Sequence, residues 1–222
     1  MAERYPRSRI VAMSHSRGQR QFIEAEIRAR RIENLRVVTA DINDFMPPPN
    51  TTCDGRFDRV VSVEMFEHMR NYELLLSRVA SWLRPDGQLF VHIFCHRDLT
   101  SPFERRGASD WMAQHFFTGG MMPGSNLLHR FQQHLRVRQQ WVWSGSHYQR
   151  TAQAWLDNLD ARRHEVIPIL RSVYGEAAAA RWLHRWRTFL LAVAELFGFN
   201  NGDEWFVSHY LLEHATKTGR TS

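Results

Sequence analysis

The amino-acid sequence predicts an α/β fold of the doubly wound kind, in which helices cover both faces of a mostly parallel sheet. Two observations carry this prediction. Short runs rich in Val and Ile alternate along the chain with longer segments of helical periodicity, which is the pattern of strand–helix–strand units. The run Phe57–Val63 is almost continuously apolar at its centre, as expected for a parallel strand buried on both faces.

The first half of the chain predicts four strands and two helices. The strands are Ile10–Ser14, 36–40, Phe57–Val63 and 88–94. A helix at 16–31 begins with Ser16, a good N-cap residue. A second helix at 71–83 leads into a turn at 84–87, where Pro, Asp and Gly favour tight turns.

The second half predicts an insert, two further strands and a helical layer. An insert at about 97–134 precedes the strand Leu135–Trp143, and a closing strand is expected near 204–212. Two helices are expected in a helical cap at about 149–197. Because no linker or internal repeat divides the chain, we expect residues 1–222 to form a single domain.

Composition and charge exclude little. The 222 residues are 43% hydrophobic and 23% charged, as in an ordinary globular domain. The longest apolar stretch, 189–199, contains Glu195 and is too short to span a bilayer. No signal peptide is evident in the first ten residues, so we expect a cytoplasmic protein. Cys53 and Cys95 give no disulfide framework and are expected to be reduced.

The net charge of +6 and the pI near 10.0 would ordinarily suggest a nucleic acid or an anionic membrane as partner. Only Lys217 among the 29 basic residues is a lysine, however, and the arginines are scattered. Small basic groups at 28–31 and 181–187 fall on helical segments, where charged faces are usually solvated. We therefore expect no nucleic-acid partner.

Ligands of open α/β sheets bind beyond the carboxyl ends of the strands, so the residues that follow strands are informative. Ser14 and Gln19 lie where the first strand passes into a helix, and their polar groups could hydrogen-bond a ribose or an amino-acid moiety. Capping of the helix by Ser16 is the simpler interpretation.

A cluster of acid and base residues directly follows Phe57–Val63. Glu64, Glu67 and His68 lie within five residues, and a carboxylate beside an imidazole can hold it in one tautomer and raise its basicity. A surface turn would also accommodate these residue types. The position at the end of a buried strand favours a functional role.

A third group, His92, Cys95 and His96, follows the strand at 88–94. Three residues at this spacing on one strand do not converge on a single point, so a zinc site is disfavoured and no metal is expected. His92 then either lines a site or is a core histidine whose hydrogen bonds are satisfied.

At these residues the sequence closely resembles the cyclopropane-fatty-acyl-phospholipid synthase superfamily, and within it the coclaurine N-methyltransferase-like branch. The resemblance extends from Tyr5 to about Glu213 and depends on five motifs in a fixed order. The motifs are FDRVVSVEMFEHM, NYELLLSRVASWLRPDGQLFVHIFCHRD, FFTGGMMPGSNLL, SGSHYQRTAQAWLDNLD and WRTFLLAVAELFGFNNGDEWFVSHYLLE.

The resemblance implies a Rossmann-like class I methyltransferase that uses S-adenosylmethionine to methylate a small molecule, with an amine nitrogen as the expected acceptor. One alternative is a cyclopropane synthase that acts on unsaturated phospholipid chains, which would bring peripheral contact with a membrane. A further alternative is an inactive fragment that cannot bind S-adenosylmethionine. Glu64 and the segments FFTGGMMPGSNLL and NNGDEW favour the N-methyltransferase branch.

Catalytic residues follow from the same resemblance. Glu67 and His68 match the catalytic dyad of the N-methyltransferase branch, and Glu64 lies beside them. Glu67, His92 and Tyr148 match the residues that hold a bicarbonate ion, acting as the base, in the cyclopropane synthases.

Cofactor contacts are implied in the same way. Ser14 and Gln19 match contacts to S-adenosylmethionine, and Asp41 and Ile42 match positions beside its adenine. Two segments are expected to cover the substrate pocket: 116–128 and 199–205.

The sequence departs from the family at its beginning. The family opens its catalytic domain with a strand and a glycine-rich turn that approaches the methionine part of the cofactor, but this sequence contains no Gly-x-Gly. The Tyr-Ser-Cys segment of the cyclopropane synthases is also absent. Since the missing strand would lie between Ile10–Ser14 and Phe57–Val63, we expect two unpaired strand edges and a chain truncated at its N-terminus.

Overall fold

The computed structural model describes residues 1–48, 54–104, 107, 111–117 and 119–215. Its strands, in chain order, are β1 (Ile10–Ser14), β2 (Leu35–Thr39), β3 (Phe57–Val63), β4 (Leu83–His96), β5 (Ser101–Pro102), β6 (Met121–Met122), β7 (Leu135–Trp143) and β8 (Trp205–His214). Its α-helices are α1 (Arg17–Arg30), α2 (Tyr72–Trp82), α3 (Trp111–His115), α4 (Ser146–Ala161), α5 (Arg163–Tyr174) and α6 (Ala179–Gly198).

The strands form two main sheets that are not hydrogen-bonded to each other within the described residues. The larger sheet has the order β3-β4-β8-β7, with β3 parallel to β4 and β8 antiparallel to both of its neighbours. The smaller sheet pairs β1 with β2 in parallel, and a short antiparallel pair joins β5 to β6. Among the described residues, β1 and β3 are therefore each hydrogen-bonded to a neighbouring strand along only one of their two edges.

Both main sheets pack against one hydrophobic core. Helix α2 contributes Leu75, Leu76 and Val79, each at most 2% exposed, to a cluster that also contains apolar residues of β4. Val11 and Met13 of β1 pack against this cluster from partly buried positions. Side-chain packing therefore holds the smaller sheet in place without backbone hydrogen bonds to β3.

The predicted α/β architecture is confirmed, although the sheet is mixed rather than mostly parallel. The strands β1, β3 and β7 have the predicted bounds. Ser16 caps α1 by accepting a hydrogen bond of 3.3 Å from the backbone N–H of Gln19, as predicted. Asn71 caps α2 in the same way, accepting from Leu74 at 3.0 Å.

Two details of the prediction are wrong. The turn expected at 84–87 lies inside β4, because Leu83 pairs with Phe57 and Gln88 with Arg59, and the residues between them form an irregularity. The region predicted as a helical cap, all of it described, contains the three helices α4, α5 and α6 rather than two. Gly175 ends α5 with a φ of 85°. None of the helices in the described ranges is long and apolar enough to cross a membrane.

Candidate active site

A strained turn places two carboxyl groups at the carboxyl end of β3. Glu64 directly follows the strand with a φ of 50°, in the left-handed region that few residues other than glycine adopt. Its backbone N–H donates to the carbonyl of His92 at 3.1 Å, which continues the pairing of β3 with β4. Strain of this kind costs about 1–3 kcal/mol and clusters at functional sites.

The chain next forms a short 3₁₀ turn, Phe66–His68, which buries Glu67 and leaves His68 exposed. Glu67 is 2% exposed. The Tyr72 hydroxyl donates to the Phe66 carbonyl at 2.7 Å and ties the turn to α2. Two adjacent residues therefore present a buried acid and an exposed base.

The chain around Gly120 packs closely on this turn. A Cβ atom at Gly120 would lie 3.0 Å from the carbonyl oxygen of Glu67, 3.5 Å from the Phe103 ring and 3.6 Å from His68 Nδ1. Glycine leaves room for this close approach. It brings an aromatic residue of the insert next to the Glu67–His68 pair.

Burial raises the pKa values of both carboxyl groups. It raises the pKa of Glu67 to about 8, and the negative charge of Glu64 is the second cause. It also raises the pKa of Glu64, but hydrogen bonds from Tyr148 and Glu67 and the nearby His68 oppose the rise. The hydrogen bond between the two groups lowers the pKa of Glu64 and raises that of Glu67, so the proton that the pair shares lies on Glu67 and the negative charge on Glu64.

A row of side chains crosses the larger sheet and ends at Glu64. His92 on β4 places its Nε2 2.9 Å from Glu64 Oε1. Its Nδ1 lies 2.8 Å from Nε2 of His209 on β8, and His209 Nδ1 accepts a hydrogen bond of 3.0 Å from Trp143 Nε1 on β7. Burial lowers the pKa of both histidines below 6.5, so both imidazoles are neutral near pH 7.

Tyr148, in the first turn of α4, contacts the carboxyl pair from the helical layer. Its hydroxyl hydrogen-bonds Glu64, and burial raises its pKa well above the usual range, so it remains a neutral donor. The Tyr148 and Phe197 rings have centroids 4.8 Å apart. Close packing fixes the start of α4, because a Cβ at Gly145 would lie 2.0 Å from the Trp205 carbonyl oxygen.

Two oxygens of the carboxyl pair are free to accept hydrogen bonds. Glu64 Oε1 and Glu67 Oε2 are buried and have no hydrogen-bond partner in the described chain. The His92 contact to Glu64 Oε1 has an ion-pair distance of 2.9 Å but lacks hydrogen-bond direction. Because a buried acceptor without a donor costs about 1–3 kcal/mol, the arrangement suits a ligand that brings N–H or O–H groups.

Aromatic rings line the side of the site that faces the insert and the helices. Phe94 follows His92 by two residues on the same face of β4 and makes edge contacts with Phe117 and Phe197. Phe117 also stacks on Phe103 with centroids 5.2 Å apart. An apolar wall around a few polar groups is typical of sites for small molecules.

The structure thus brings together the five predicted catalytic residues: Glu64, Glu67, His68, His92 and Tyr148. Their roles stay predictions. His209 and Trp143 were missed, because only the pairing of β4 with β8 and β7 brings them to His92. Of the segments expected to cover the pocket, 116–128 supplies Phe117. Cys53 and Thr118 lie outside the described residues.

The four residues predicted to contact the cofactor lie at the carboxyl ends of β1 and β2. Ser14 donates from its hydroxyl to the side-chain oxygen of Gln19. Asp41 accepts two hydrogen bonds, of 2.8 and 2.9 Å, within its own turn. Ile42 packs, half-buried, against the main core. The neighbouring Thr39 Oγ1 is buried without a hydrogen-bond partner in the described chain.

The residues of the disfavoured zinc site are separated in the structure. Cys95 is buried, with its Sγ 3.8 Å from the Tyr210 hydroxyl, whereas His96 places Nε2 3.1 Å from Glu204 Oε1. No group of three or more His, Cys, Asp or Glu among the described residues is arranged to hold a metal ion.

Comparison with known proteins identifies the family of this chain. A family model for mycolic acid cyclopropane synthetase matches residues 1–205. The chain is 37% identical over 217 residues to (S)-coclaurine N-methyltransferase of Thalictrum flavum subsp. glaucum, which covers 96% of the chain and 58% of that protein. It is 25% identical over 168 residues to cyclopropane-fatty-acyl-phospholipid synthase of Escherichia coli (strain K12), with coverages of 75% and 40%.

The fold also matches a solved structure of coclaurine N-methyltransferase bound to N-methylheliamine and SAH. The TM-score is 0.87 at 35% identity, over 96% of this chain and 60% of that one. The chain therefore spans about three fifths of the length of the N-methyltransferases it matches. The predicted Rossmann-like fold class is confirmed.

Proposed function

Because the chain belongs to the mycolic acid cyclopropane synthetase family, we propose that the protein transfers a methyl group from S-adenosylmethionine to an amine nitrogen of a small molecule. The buried pair Glu64 and Glu67 carries this proposal, since it shares one proton and has two oxygens that no donor of the described residues reaches. An amine supplies N–H donors to these oxygens, whereas an alkene supplies none. The similarity to coclaurine N-methyltransferase supports the same acceptor.

Residues at the ends of β1 and β2 fit the adenosine part of the cofactor. Thr39 Oγ1 is buried there with no hydrogen-bond partner among the described residues, and Ser14, Gln19 and Asp41 add donors and acceptors. We expect them to hold the ribose and adenine, with Ile42 against the adenine ring. When bound, the cofactor supplies an electrophilic methyl group on a positively charged sulfur.

The carboxyl pair prepares the amine for attack. An amine attacks only as a neutral base, so the protein must remove its proton. Glu64 carries the negative charge of the pair, and we assign the proton to its Oε1, directly or through a water molecule. Glu67 keeps its own proton and donates to Glu64. His68, exposed beside the pair, then passes the proton to solvent.

The aromatic wall orients the acceptor. Rings of Phe94, Phe117 and Tyr148 exclude water on one side of the carboxyl pair. Holding the amine in line with the methyl group can contribute roughly 7–11 kcal/mol to lowering the barrier. We therefore expect the preferred acceptor to be a small amine that carries an apolar or aromatic group.

A second candidate is cyclopropane formation on a phospholipid chain, with a place in lipid biosynthesis and peripheral contact with a membrane. It depends on Glu67, His92 and Tyr148, the residues that the resemblance associates with bicarbonate. In this structure His92 and Tyr148 both contact Glu64. A bicarbonate ion would meet the negative charge of Glu64 beside these two residues, so the geometry favours the amine.

An assay of the full-length protein with two acceptor classes separates the candidates. It is incubated with S-adenosylmethionine and either a panel of small aromatic amines or vesicles of phospholipids with unsaturated chains. We expect N-methylated product by mass spectrometry from the amines and unchanged acyl chains. Cyclopropane rings in the lipids, with unmodified amines, would replace the proposal by the second candidate.

Calorimetric titration of S-adenosylmethionine tests the remaining alternative. The titration compares the 222-residue chain with the full-length protein. Binding and turnover are expected for the full-length protein, and absence of both from the 222-residue chain would identify that chain as an inactive fragment. We further propose a cytoplasmic location, which cell fractionation checks.

A further inference from the structure

We propose that His209 and Trp143 are positioning residues that hold His92 in the tautomer with its hydrogen on Nε2, the ring nitrogen that lies 2.9 Å from Glu64 Oε1. The consequence for catalysis rests on the proposed function, but the tautomer itself does not. The arrangement of these three side chains is visible only once the strands are paired.

The side chains form a continuous row on one face of the larger sheet. His92 and His209 are direct partners in the pairing of β4 with β8, and their ring centroids are 4.8 Å apart. Trp143 pairs with Val207, two residues before His209, so its ring reaches His209 diagonally with centroids 5.8 Å apart. The row leads from the edge strand β7 to Glu64.

The donor at the end of the row fixes the direction of every hydrogen bond in it. The indole N–H of Trp143 can only donate, so His209 Nδ1 must be an acceptor. A neutral His209 then carries its hydrogen on Nε2 and donates to His92 Nδ1. A neutral His92 in turn carries its hydrogen on Nε2, which lies 2.9 Å from Glu64 Oε1. Only this assignment satisfies both hydrogen bonds of His209.

The reversed assignment fails at both ends. It would direct an Nδ1–H of His209 against the N–H of Trp143, at a separation of 3.0 Å. It would also leave an unprotonated Nε2 of His92 2.9 Å from a carboxylate oxygen. Trp143 is 50% exposed, yet its N–H turns inward to His209. An exposed indole in this pose is explained by the hydrogen bond rather than by burial of its ring.

The locked tautomer decides which carboxyl group takes the proton. An Nε2–H beside Glu64 favours its ionised form, so Glu64 stays the acceptor and Glu67 keeps the shared proton. Without the lock, His92 can present an unprotonated Nε2 and compete with Glu64 for the proton. The row therefore acts on the reaction through Glu64 and not through contact with the substrate.

NMR spectra that identify the histidine tautomers in the full-length protein test the proposed tautomer of His92 without an activity assay. Long-range ¹H–¹⁵N spectra should show His92 and His209 each protonated on Nε2 only. Trp143→Phe keeps the ring but removes the donor, and it should give a tautomer mixture at both histidines. Trp155→Phe, on α4 and 56% exposed, is the control and should leave both unchanged. An Nδ1–H on His92 in the unmodified protein would overturn the proposal.

Kinetics give the second readout. His209→Phe removes the donor to His92, and we expect kcat to fall roughly tenfold while the KM for S-adenosylmethionine is unchanged. The acid limb of the pH profile should move up by about half a unit to one unit. His209→Gln retains a donor and an acceptor and should restore most of the activity. Equal loss in the Gln and Phe variants, with unshifted pH profiles, would show a merely structural role. A locked tautomer in a protein that methylates no amine would retain the lock and reject only the proposed function.

Discussion

The carboxyl ends of the two main sheets carry similar kinds of polar residues that differ in burial and in hydrogen bonding. At the end of the larger sheet, Glu67 is 2% exposed and its carboxyl group shares a proton with Glu64. At the end of the smaller sheet, Ser14 and Asp41 are exposed or half-buried and are satisfied by hydrogen bonds within their own turns. Glutamate, serine and aspartate would look equally suited to a site in the sequence alone.

The difference shows that missing hydrogen-bond partners around a buried polar group, more than its residue type, mark a group prepared for chemistry. Buried acceptors without donors store free energy that a substrate can release. Groups that close turns have no such deficit and can offer only modest affinity to a ligand. We therefore expect substitutions at the larger sheet to change turnover and those at the smaller sheet to change cofactor affinity or stability.

The largest effect is expected for Glu64→Gln. It removes the proton acceptor while keeping the shape of the side chain, so kcat should fall by about 10²–10⁴-fold with cofactor affinity within about twofold of the original. Glu67→Gln should lose less, because Glu67 is already protonated near pH 7. Steady-state kinetics with an amine acceptor and calorimetry check both. Glu24→Gln on α1 is the control, and a larger loss for Glu67→Gln than for Glu64→Gln would reverse the assigned roles.

The second effect is a pH dependence of stability that Glu67 imposes. Its pKa is about 8 in the folded protein against 4.5 ordinarily, so between these values the folded state binds more protons than the unfolded state. Stability from this group is therefore complete below pH 4.5 and is lost as the pH rises through about 8. The loss amounts to roughly 4 kcal/mol at pH 8.

Glu67→Gln removes the titration, so its free energy of unfolding relative to the original protein should increase from pH 5 to pH 8. Urea unfolding at the two pH values measures this change. If the two proteins lose stability in parallel, the carboxyl group is not buried in its protonated form.

The third-largest effect is a change in stability when a methyl group is added at either of two glycines, one near the end of each main sheet. A Cβ at Gly145 would lie 2.0 Å from the Trp205 carbonyl oxygen and 2.4 Å from that of Phe197. Gly145→Ala should therefore cost about 3 kcal/mol or more and displace Tyr148. Gly18 in α1 has its nearest atom at 3.9 Å, so Gly18→Ala should stabilise by about 0.5–1 kcal/mol. Thermal unfolding compares the pair; similar effects of both would contradict the packing at α4.

The two regions also differ in how far the sequence predicts them. Strand patterns and caps predict β1, β3 and α1 closely, and the rule that ligands bind after strands selects Glu64 and Glu67. Tyr148 was reached only through the family resemblance, since α4 is far from β3 in the chain.

Long-range pairing is what the sequence does not reveal. His209 joins His92 across 117 residues, and the register that places them opposite each other depends on the whole pairing of β4 with β8. The irregularity at 84–87 has the same origin, because Pro, Asp and Gly favour a turn locally but Leu83 and Gln88 on either side both pair with β3. Local preferences predict elements, whereas register decides which side chains meet.

The smallest expected effects separate the two interpretations of the loop after β1. If Ser16 acts as a cap, Ser16→Ala should lower stability by about 1 kcal/mol without changing cofactor affinity, because it removes the acceptor for the Gln19 N–H. Gln19→Ala should leave stability nearly unchanged, since its side chain is exposed, but should weaken S-adenosylmethionine binding by about threefold to tenfold through the loss of one hydrogen bond. For both variants, chemical denaturation measures the free energy of unfolding and calorimetry measures the affinity for S-adenosylmethionine. Loss of affinity in Ser16→Ala with none in Gln19→Ala would mean that the helix start, rather than the side chains after β1, holds the cofactor.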